Sequence, residues 1–159
     1  MLDDSELEQA YEEKDWDAAL QLLEEGADPN EDLPLGRLVD RAVDDGRDDW
    51  VELFASHGGD FELPDRQGMT LLHRAAAAGD NGERVRRVIS LGVSISPKTP
   101  KGWTPLHFAT ANGYERVADV LLEAGADPRA TTHAGLTARD LAERNHHDEL
   151  AEKLGRTLG

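Results

Sequence analysis

Six histidines are the side chains of this chain best suited to chemistry, because imidazole binds metals and exchanges protons near neutral pH. His73 and His107 occupy the same place in two matching stretches of sequence, about 10 Å apart at helix packing distance, which is too far to share one metal. The neighbours His146 and His147 would point about 100° apart on a helix. The other two lie in predicted turns without a partner at metal-ligand spacing, His57 and His133. The histidines therefore predict no metal site.

Motifs for catalysis are missing from the sequence. It contains no cysteine, no phosphate-binding Gly-x-x-x-x-Gly-Lys and no Gly-x-Ser-x-Gly around a nucleophile. The acidic run at residues 44–49 does not follow the order of acids and glycine in a calcium loop. We therefore expect neither catalytic residues nor a bound cofactor, and the chain is predicted not to be an enzyme.

Charge is distributed unevenly along the chain. The net charge is −16, yet residues 1–63 hold 21 Asp and Glu against 4 Lys and Arg, while residues 64–159 hold 12 against 13. An acidic coat adapted to high salt would be expected to spread over the whole surface, so a local role is the better interpretation. Because an acidic half repels DNA and RNA, we expect a protein partner with a basic patch and no nucleic acid.

Signals for membranes and export are also missing. No apolar run approaches the roughly 20 residues of a membrane-spanning helix. The first four residues, Met-Leu-Asp-Asp, lack the basic and apolar regions of a signal peptide. We expect a cytoplasmic protein that does not bind membranes.

A recurring glycine reveals a repeated unit that must position the histidines and acids. Gly26, Gly58, Gly92 and Gly125 are separated by 32, 34 and 33 residues. Units of this length bury their core by stacking on their neighbours. We expect one domain over the whole chain, composed of five units at residues 1–30, 31–64, 65–98, 99–131 and 132–159, of which the first and last are caps.

Each unit is predicted to contain two helices. In the best copy, Thr104 caps the first helix, Pro105 takes its first position and Gly113 ends it. A second helix is predicted from about residue 114 to residue 124, because its apolar residues recur at helical spacing, and Gly125 ends it.

The best copy resembles the ankyrin repeat, because residues 104–109 read Thr-Pro-Leu-His-Phe-Ala and match the signature Thr-Pro-Leu-His-x-Ala. Residues 70–75 differ from it by one leucine for proline, and residues 137–142 keep Thr, Ala and a capping-box acid. The resemblance implies an all-α repeat solenoid of helix-turn-helix units joined by β-hairpin-like turns. It also implies that His73 and His107 form hydrogen bonds to neighbouring loop backbone. We expect a stand-alone array from a bacterium.

Several stretches depart from the pattern or add to it. Residues 5–8 read Ser-Glu-Leu-Glu, which predicts a capping box in the first unit. Residues 37–42 lack the threonine and the proline. Residues 79–83 include two extra residues, so we expect a protruding loop there. Trp50 and Phe54 fall on the apolar stripe of a helix and are expected in the core.

The resemblance also indicates where a partner binds, because partners of ankyrin stacks usually meet the turn tips and the exposed end of each first helix. The helix ends change from acids to small residues and then to arginine along the chain, and the tips of units three and four offer cations, a methionine and a tryptophan as an apolar anchor. A solvated acidic face and a partly buried tryptophan are the alternatives. The predicted binding residues are Glu12, Glu13, Asp44, Asp45, Arg66, Met69, Lys101, Trp103, Asn112 and Arg144.

The leading hypothesis is a non-enzymatic module that binds another protein on its concave face, with the acidic N-terminal half against a basic patch. One alternative is an immunity or inhibitor protein that blocks a basic nucleic-acid-processing enzyme or toxin, since clustered carboxylates imitate phosphates. Another alternative is an accessory subunit docked on a metabolic or redox enzyme. The polar end units predict a monomer before the partner binds.

Overall fold

The computed structural model of the chain describes residues 4–79 and 82–157. These residues form ten helices and no strand, apart from an isolated antiparallel bridge between Thr131 and Thr137. None of these helices is both long and apolar enough to cross a membrane. The all-α class predicted from the sequence is confirmed. The chain divides into two compact parts, residues 1–61 (the N-terminal unit) and residues 62–159 (the C-terminal unit).

The N-terminal unit contains two consecutive helix pairs in its described residues. Helix α1 packs against α2, and α3 packs against α4. The pairs are α1 (Asp4–Glu13) with α2 (Trp16–Glu24), and α3 (Leu38–Asp44) with α4 (Asp48–Ser56).

An aromatic cluster forms the core of the N-terminal unit. Tyr11 is fully buried, and its ring meets that of Trp50 edge-on with 5.0 Å between centroids. Trp50 and Phe54 are both buried, as their place on the apolar stripe predicts. The guanidinium of Arg47 lies 4.0 Å from the centroid of the Tyr11 ring, which is a cation–π contact. Burial, followed by the hydrogen bond to Asp45, raises the pKa of the Tyr11 hydroxyl well above its usual value.

Charged side chains take the place of the missing threonine and proline in this unit. Arg37 precedes α3, and its Nη2 lies 2.7 Å from Oδ2 of Asp40 in the first turn, with both side chains buried. The capping box predicted for the first unit is wrong, because Ser5 lies inside α1 rather than before it. Glu8 instead accepts a hydrogen bond from Arg41 at 2.7 Å, so it connects α1 to α3.

The C-terminal unit contains three helix pairs in its described residues. Each pair packs internally, α7 lies against both α5 and α9, and α6 lies against α8. The helix predicted at residues 114–124 is α8, which is one residue shorter at each end. Part of the predicted protruding loop, residues 80 and 81, lies outside the described residues. The pairs are α5 (Leu71–Ala78) with α6 (Glu83–Ser90), α7 (Pro105–Ala111) with α8 (Glu115–Glu123), and α9 (Ala138–Arg144) with α10 (Asp148–Thr157).

A buried histidine connects α5 to the turn that precedes α7. His73 is 0% exposed, and its Nδ1 accepts a hydrogen bond from the backbone N–H of Thr70 at 3.1 Å. Its Nε2 lies 3.0 Å from the carbonyl oxygen of Trp103. Because Nδ1 accepts, the neutral ring carries its proton on Nε2 and donates it to that carbonyl. The predicted bond to neighbouring loop backbone is confirmed.

The same pair of histidine hydrogen bonds recurs at α7, whereas α9 has an aspartate in this position. His107 accepts the N–H of Thr104 at 3.0 Å, and its Nε2 lies 3.1 Å from the carbonyl oxygen of Ala130. At the matching place in α9, Asp140 accepts the backbone N–H of Thr137 at 2.8 Å. Asp140 therefore closes its own helix start, as the predicted capping-box acid should, and its pKa is lowered mainly by the hydrogen bonds from Thr137.

The turn before α7 is hairpin-like and has its own hydrogen bonds. The N–H of Thr99 donates to the carbonyl of Trp103 at 2.9 Å, and the N–H of Trp103 donates to Oγ1 of Thr99 at 3.1 Å. The N–H of Gly102 donates to the carbonyl of Thr99 at 2.8 Å. The next turn is joined to it, because the N–H of His133 donates to the carbonyl of Lys101 at 3.0 Å.

In each pair, a residue in the left-handed backbone conformation, with positive φ, lies at or just after the end of the first helix. Glycine takes this conformation at the ends of α3, α5 and α7, as the sequence predicts, with φ of 68° at Gly46, 72° at Gly79 and 72° at Gly113. After α1 and α9 the residues are not glycine, and φ is 58° at Lys14 and 62° at His146. For a residue with a Cβ, this backbone conformation costs about 1–2 kcal/mol.

Replacing Lys14 with glycine should raise the free energy of unfolding by about 0.5–1 kcal/mol. Glycine removes the steric cost of the left-handed backbone, and its greater freedom in the unfolded chain offsets part of the gain. The midpoint of urea denaturation measures the change. Lys14→Ala is the matched control, because it removes the charge and keeps Cβ; equal stability of the two variants would contradict the strain at this position.

Stability should fall as the pH decreases below about 6.5, because His73 and His107 are buried in the neutral form. Burial lowers the pKa of both rings, against an opposing effect of their backbone hydrogen bonds. The unfolded chain therefore binds more protons in this range, and the free energy of unfolding decreases until the pH passes the folded pKa. Each histidine contributes at most about 1.4 kcal/mol per pH unit.

Urea denaturation of the wild type and of His107→Gln, at about pH 7.5 and about pH 5.5, tests this dependence. We expect the variant to be less stable at the higher pH and to lose less stability on acidification. If both proteins lost the same free energy, His107 would titrate alike in the folded and unfolded chains, contrary to the prediction.

Candidate functional site

The four acidic candidates lie on the surface of the N-terminal unit. Glu12 and Glu13 are in the last turn of α1, Asp44 is the last residue of α3, and Asp45 follows it. All four side chains are exposed. The structure therefore places them at the ends of the first helices, where the sequence predicts them, and their contact with a partner stays a prediction.

Side chains of the same unit hold several of these acids in position. Arg41 forms an ion pair with Glu12, and the hydroxyl of Tyr11 donates to Oδ2 of Asp45 at 2.7 Å. Glu13 accepts a hydrogen bond at 2.9 Å from the glutamine one turn earlier in α1. Because a carboxylate has about four acceptor positions, each of these groups can still accept hydrogen bonds from a partner.

Three of the six candidates in the C-terminal unit line a single cavity. Met69, Lys101 and Trp103 face a space of about 460 Å³ in the turns before α5 and α7. Among the described residues that line it, Lys101 is the only charged one, so the lining is mainly apolar with one exposed cation. The remaining lining residues are Gln67, Thr99, Pro100 and Phe108.

The other three candidates in this unit lie outside that cavity. Arg66 is exposed in the turn before α5, and Arg144 is exposed in the last turn of α9. Asn112 ends α7, and its side-chain amide donates to the carbonyl of Phe108 at 2.8 Å. Asn112 therefore has a structural contact, and a role of these three residues in partner binding stays a prediction.

Aromatic rings in tilted and edge-on contact form one wall of the cavity. The centroids of Trp103 and Phe108 are 5.1 Å apart with the rings tilted at 54°, and the ring of the buried His73 meets Phe108 edge-on at 5.6 Å. Trp103 is partly buried in this arrangement rather than fully exposed. The wall is therefore fixed by contacts within the protein and does not require a ligand to form it.

A glycine lets the two turns approach each other beside the cavity. A Cβ built on Gly68 would lie 2.3 Å from Cδ of Pro100, which is closer than non-bonded carbon atoms can come. Gly68 also has a φ of +76°, which an L side chain rarely adopts. A side chain at this position would push Pro100 away and change the shape of the cavity.

Sequence reasoning missed four of the lining residues. Phe108 stands at the variable position of the ankyrin signature, and a large aromatic residue there was a signal that could have been used. No sequence signal marks Gln67, Thr99 or Pro100 as lining residues, because their place depends on how closely two turns approach in space.

The histidines outside the core do not form a metal-binding group. His146 and His147 line a second cavity, of about 430 Å³, with Glu115 and Asp148. Nε2 of His147 lies 3.3 Å from the carbonyl oxygen of Ala111, so this ring is engaged with backbone. Within residues 4–79 and 82–157, no three His, Asp or Glu side chains are grouped so that they could hold a metal ion.

Comparison with protein families identifies the repeat. The family described as "Ankyrin repeats (3 copies)" matches residues 39–132, which is more than half of the chain. The match includes α4 to α8 and both buried histidines. It does not reach the helix pairs at the two ends, so it does not support the predicted count of five repeats.

Individual relatives are proteins of different functions. Protein phosphatase 1 regulatory subunit 27 of Homo sapiens is 34% identical over 91 residues, which are 57% of this chain and 58% of the relative. Calmodulin-binding transcription activator CBT of Oryza sativa subsp. japonica is 45% identical over 43% of this chain and 8% of its own length. ARF GTPase-activating protein GIT2 of Mus musculus is 40% identical over 52% of this chain and 12% of its own length.

These relatives are eukaryotic, so they do not support the bacterial source that we expected. The chain spans less than two thirds of the length of each of them. The matched family and the helix pairs agree on an all-α repeat solenoid. The family and the relatives support a protein–protein interaction module. The chain belongs to the ankyrin repeat family.

Proposed function

We propose that this chain binds a protein with a basic surface patch, through the acidic ends of α1 and α3. The observation that carries the proposal is the exposure of four carboxylates at the matching ends of two successive first helices: Glu12, Glu13, Asp44 and Asp45. A partner that presents lysine or arginine side chains would complement all four.

Electrostatics supports a role for these acids in association. Residues 1–63 carry 21 acidic and 4 basic residues, so the field around the helix ends is negative. Such a field steers a basic protein toward the site and raises the rate of association, especially at low salt. The bonds from Arg41 and Tyr11 keep two of the carboxylates in place. These side chains therefore lose less conformational entropy when a partner binds.

We further propose that binding is non-enzymatic and uses the concave face of a single five-repeat domain, with a monomer as the free state. The cavity at Trp103 would supply an apolar contact in addition to the charged one. Tryptophan is among the residues that most often dominate the energy of protein interfaces. No cofactor is needed for this function.

A second candidate is a regulatory subunit that docks on an enzyme. It is supported by the similarity to a protein phosphatase 1 regulatory subunit, of which this chain covers 58%. This is the accessory-subunit alternative with a different enzyme class, because the expectation from the sequence was a metabolic or redox enzyme. The two candidates are compatible, since the enzyme would itself be the bound protein.

Reversing two of the acids should weaken partner binding about tenfold or more at low salt. The variant Glu13→Lys with Asp44→Lys leaves the ion pair of Glu12 with Arg41 and the hydrogen bond of Asp45 with Tyr11 unchanged. Quantitative affinity capture from a cell lysate, at about 50 mM and about 500 mM salt, measures the recovery of each bound protein. Proteins that depend on the acids should be recovered less by the variant, and the difference should shrink at high salt.

The matched control is Glu24→Lys with Glu52→Lys, which makes the same charge change on exposed residues of α2 and α4. We expect the control to bind nearly as well as the wild type. If both double variants lost the same proteins equally, net charge rather than the ends of α1 and α3 would explain the binding, and the proposed site would be wrong.

If the second candidate is correct, the chain should bind the catalytic subunit of protein phosphatase 1 directly. Mixing the two purified proteins should then change the rate of dephosphorylation of a phosphoprotein substrate. Size-exclusion chromatography of the mixture tests complex formation independently of activity. Two separate peaks together with an unchanged rate would exclude this enzyme as the partner.

A further inference from the structure

The cavity at Trp103 has a specific chemistry that the acidic ends of α1 and α3 do not share. Its lining is mainly apolar and aromatic, with Gln67 and Thr99 as uncharged polar residues, and it includes no acidic residue from the part of the chain that the structure describes. Its charged lining residue is Lys101, whose side chain is exposed. A ligand for this cavity must therefore offer apolar surface, and a negative charge at the edge would complement the lysine.

The backbone around the cavity is already used within the protein. The N–H groups of Thr99, Gly102 and Trp103 donate inside the turn, and the carbonyl of Trp103 accepts from both Thr99 and His73. The carbonyl of Lys101 accepts the N–H of His133. A partner therefore has little backbone to pair with here, which argues against addition of a β-strand and in favour of recognition through side chains.

The size and rigidity of the cavity also limit its occupant. A volume of about 460 Å³ is within the range of pockets that bind small ligands, so it accepts one large apolar side chain with part of its backbone. The contacts of Phe108 with Trp103 and His73 form the wall before a ligand binds. These side chains therefore lose little conformational entropy on binding.

We propose that this cavity binds a peptide segment of the partner protein in which a large apolar side chain is followed, within two residues, by aspartate or glutamate. The apolar side chain packs between Met69 and Trp103, and the carboxylate pairs with Lys101. This inference rests on the proposed function, because it assumes that the chain binds proteins. The charges are reversed relative to the acidic ends of α1 and α3, because at the cavity the partner supplies the acidic side chain.

A display library of random 12-residue peptides, selected against the full-length chain, tests the proposal. We expect enriched peptides to contain leucine, methionine or an aromatic residue with Asp or Glu one or two positions later. Fluorescence polarisation of one enriched peptide, synthesised with a dye, then gives its affinity for each variant. A library without such enrichment would overturn the proposal.

Two variants identify the residues that bind the peptide. Lys101→Glu should weaken binding about fivefold to tenfold at low salt, and a peptide with lysine in place of its acid should prefer this variant. Lys98→Glu is the matched control, because it makes the same charge change on an exposed residue that does not line the cavity, and it should have little effect. Trp103→Ala should weaken binding at least about tenfold.

The outcomes separate this proposal from the proposed function. Enriched basic peptides that lose affinity on Glu13→Lys with Asp44→Lys, but not on Lys101→Glu, would overturn the cavity proposal and leave the acidic site intact. Peptides with the expected motif that ignore the acidic double variant would support the cavity alone. If Trp103→Ala fails to fold, as judged by circular dichroism, the charge exchange at Lys101 still decides the question.

Discussion

The hydrogen bonds of two buried histidines are the interaction on which the C-terminal unit depends. Each ring is uncharged, accepts the N–H at the start of its own helix through Nδ1, and donates from Nε2 to a carbonyl of a later turn. Without the ring of His73, the N–H of Thr70 would lose this acceptor, at a cost of about 1–3 kcal/mol if it stayed buried, while the carbonyl of Trp103 would keep the hydrogen bond from Thr99. His73 also supports Phe108, so the wall of the cavity depends on the same residue.

In the N-terminal unit, other side chains form the bonds at the helix start and between the helix pairs. Asp40 stands where His73 stands in the next repeat, and it pairs with Arg37 at the start of its own helix. Between its two helix pairs, Asn30 donates to the carbonyl of Gly58 at 2.9 Å and accepts the N–H of Asp60 at 2.6 Å. One position of the repeat can therefore change from histidine to aspartate when charged and amide side chains supply the contacts.

Local signals made most of the fold predictable from the sequence. Thr104, Pro105 and Gly113 act within one or two turns of helix, so their types alone indicated where α7 begins and ends. The start of α1 was predicted wrongly, because Ser5 has the right neighbour for a capping box, while Arg41, 33 positions beyond Glu8, takes that acid instead. The cavity could be predicted only in part, since Met69 and Trp103 were visible as turn residues, while the approach of Gly68 to Pro100 is a property of the folded chain.

Trp103 contributes to the fold and to the cavity with different atoms. Its carbonyl and N–H take part in the hydrogen bonds to His73 and Thr99, whereas its side chain lines the cavity. Because any residue except proline can supply those backbone groups, the side chain at this position is open to substitution without loss of the hydrogen bonds between repeats. If the cavity binds the proposed peptide, changes of the side chains at positions 69, 101 and 103 would give the same scaffold a different peptide preference.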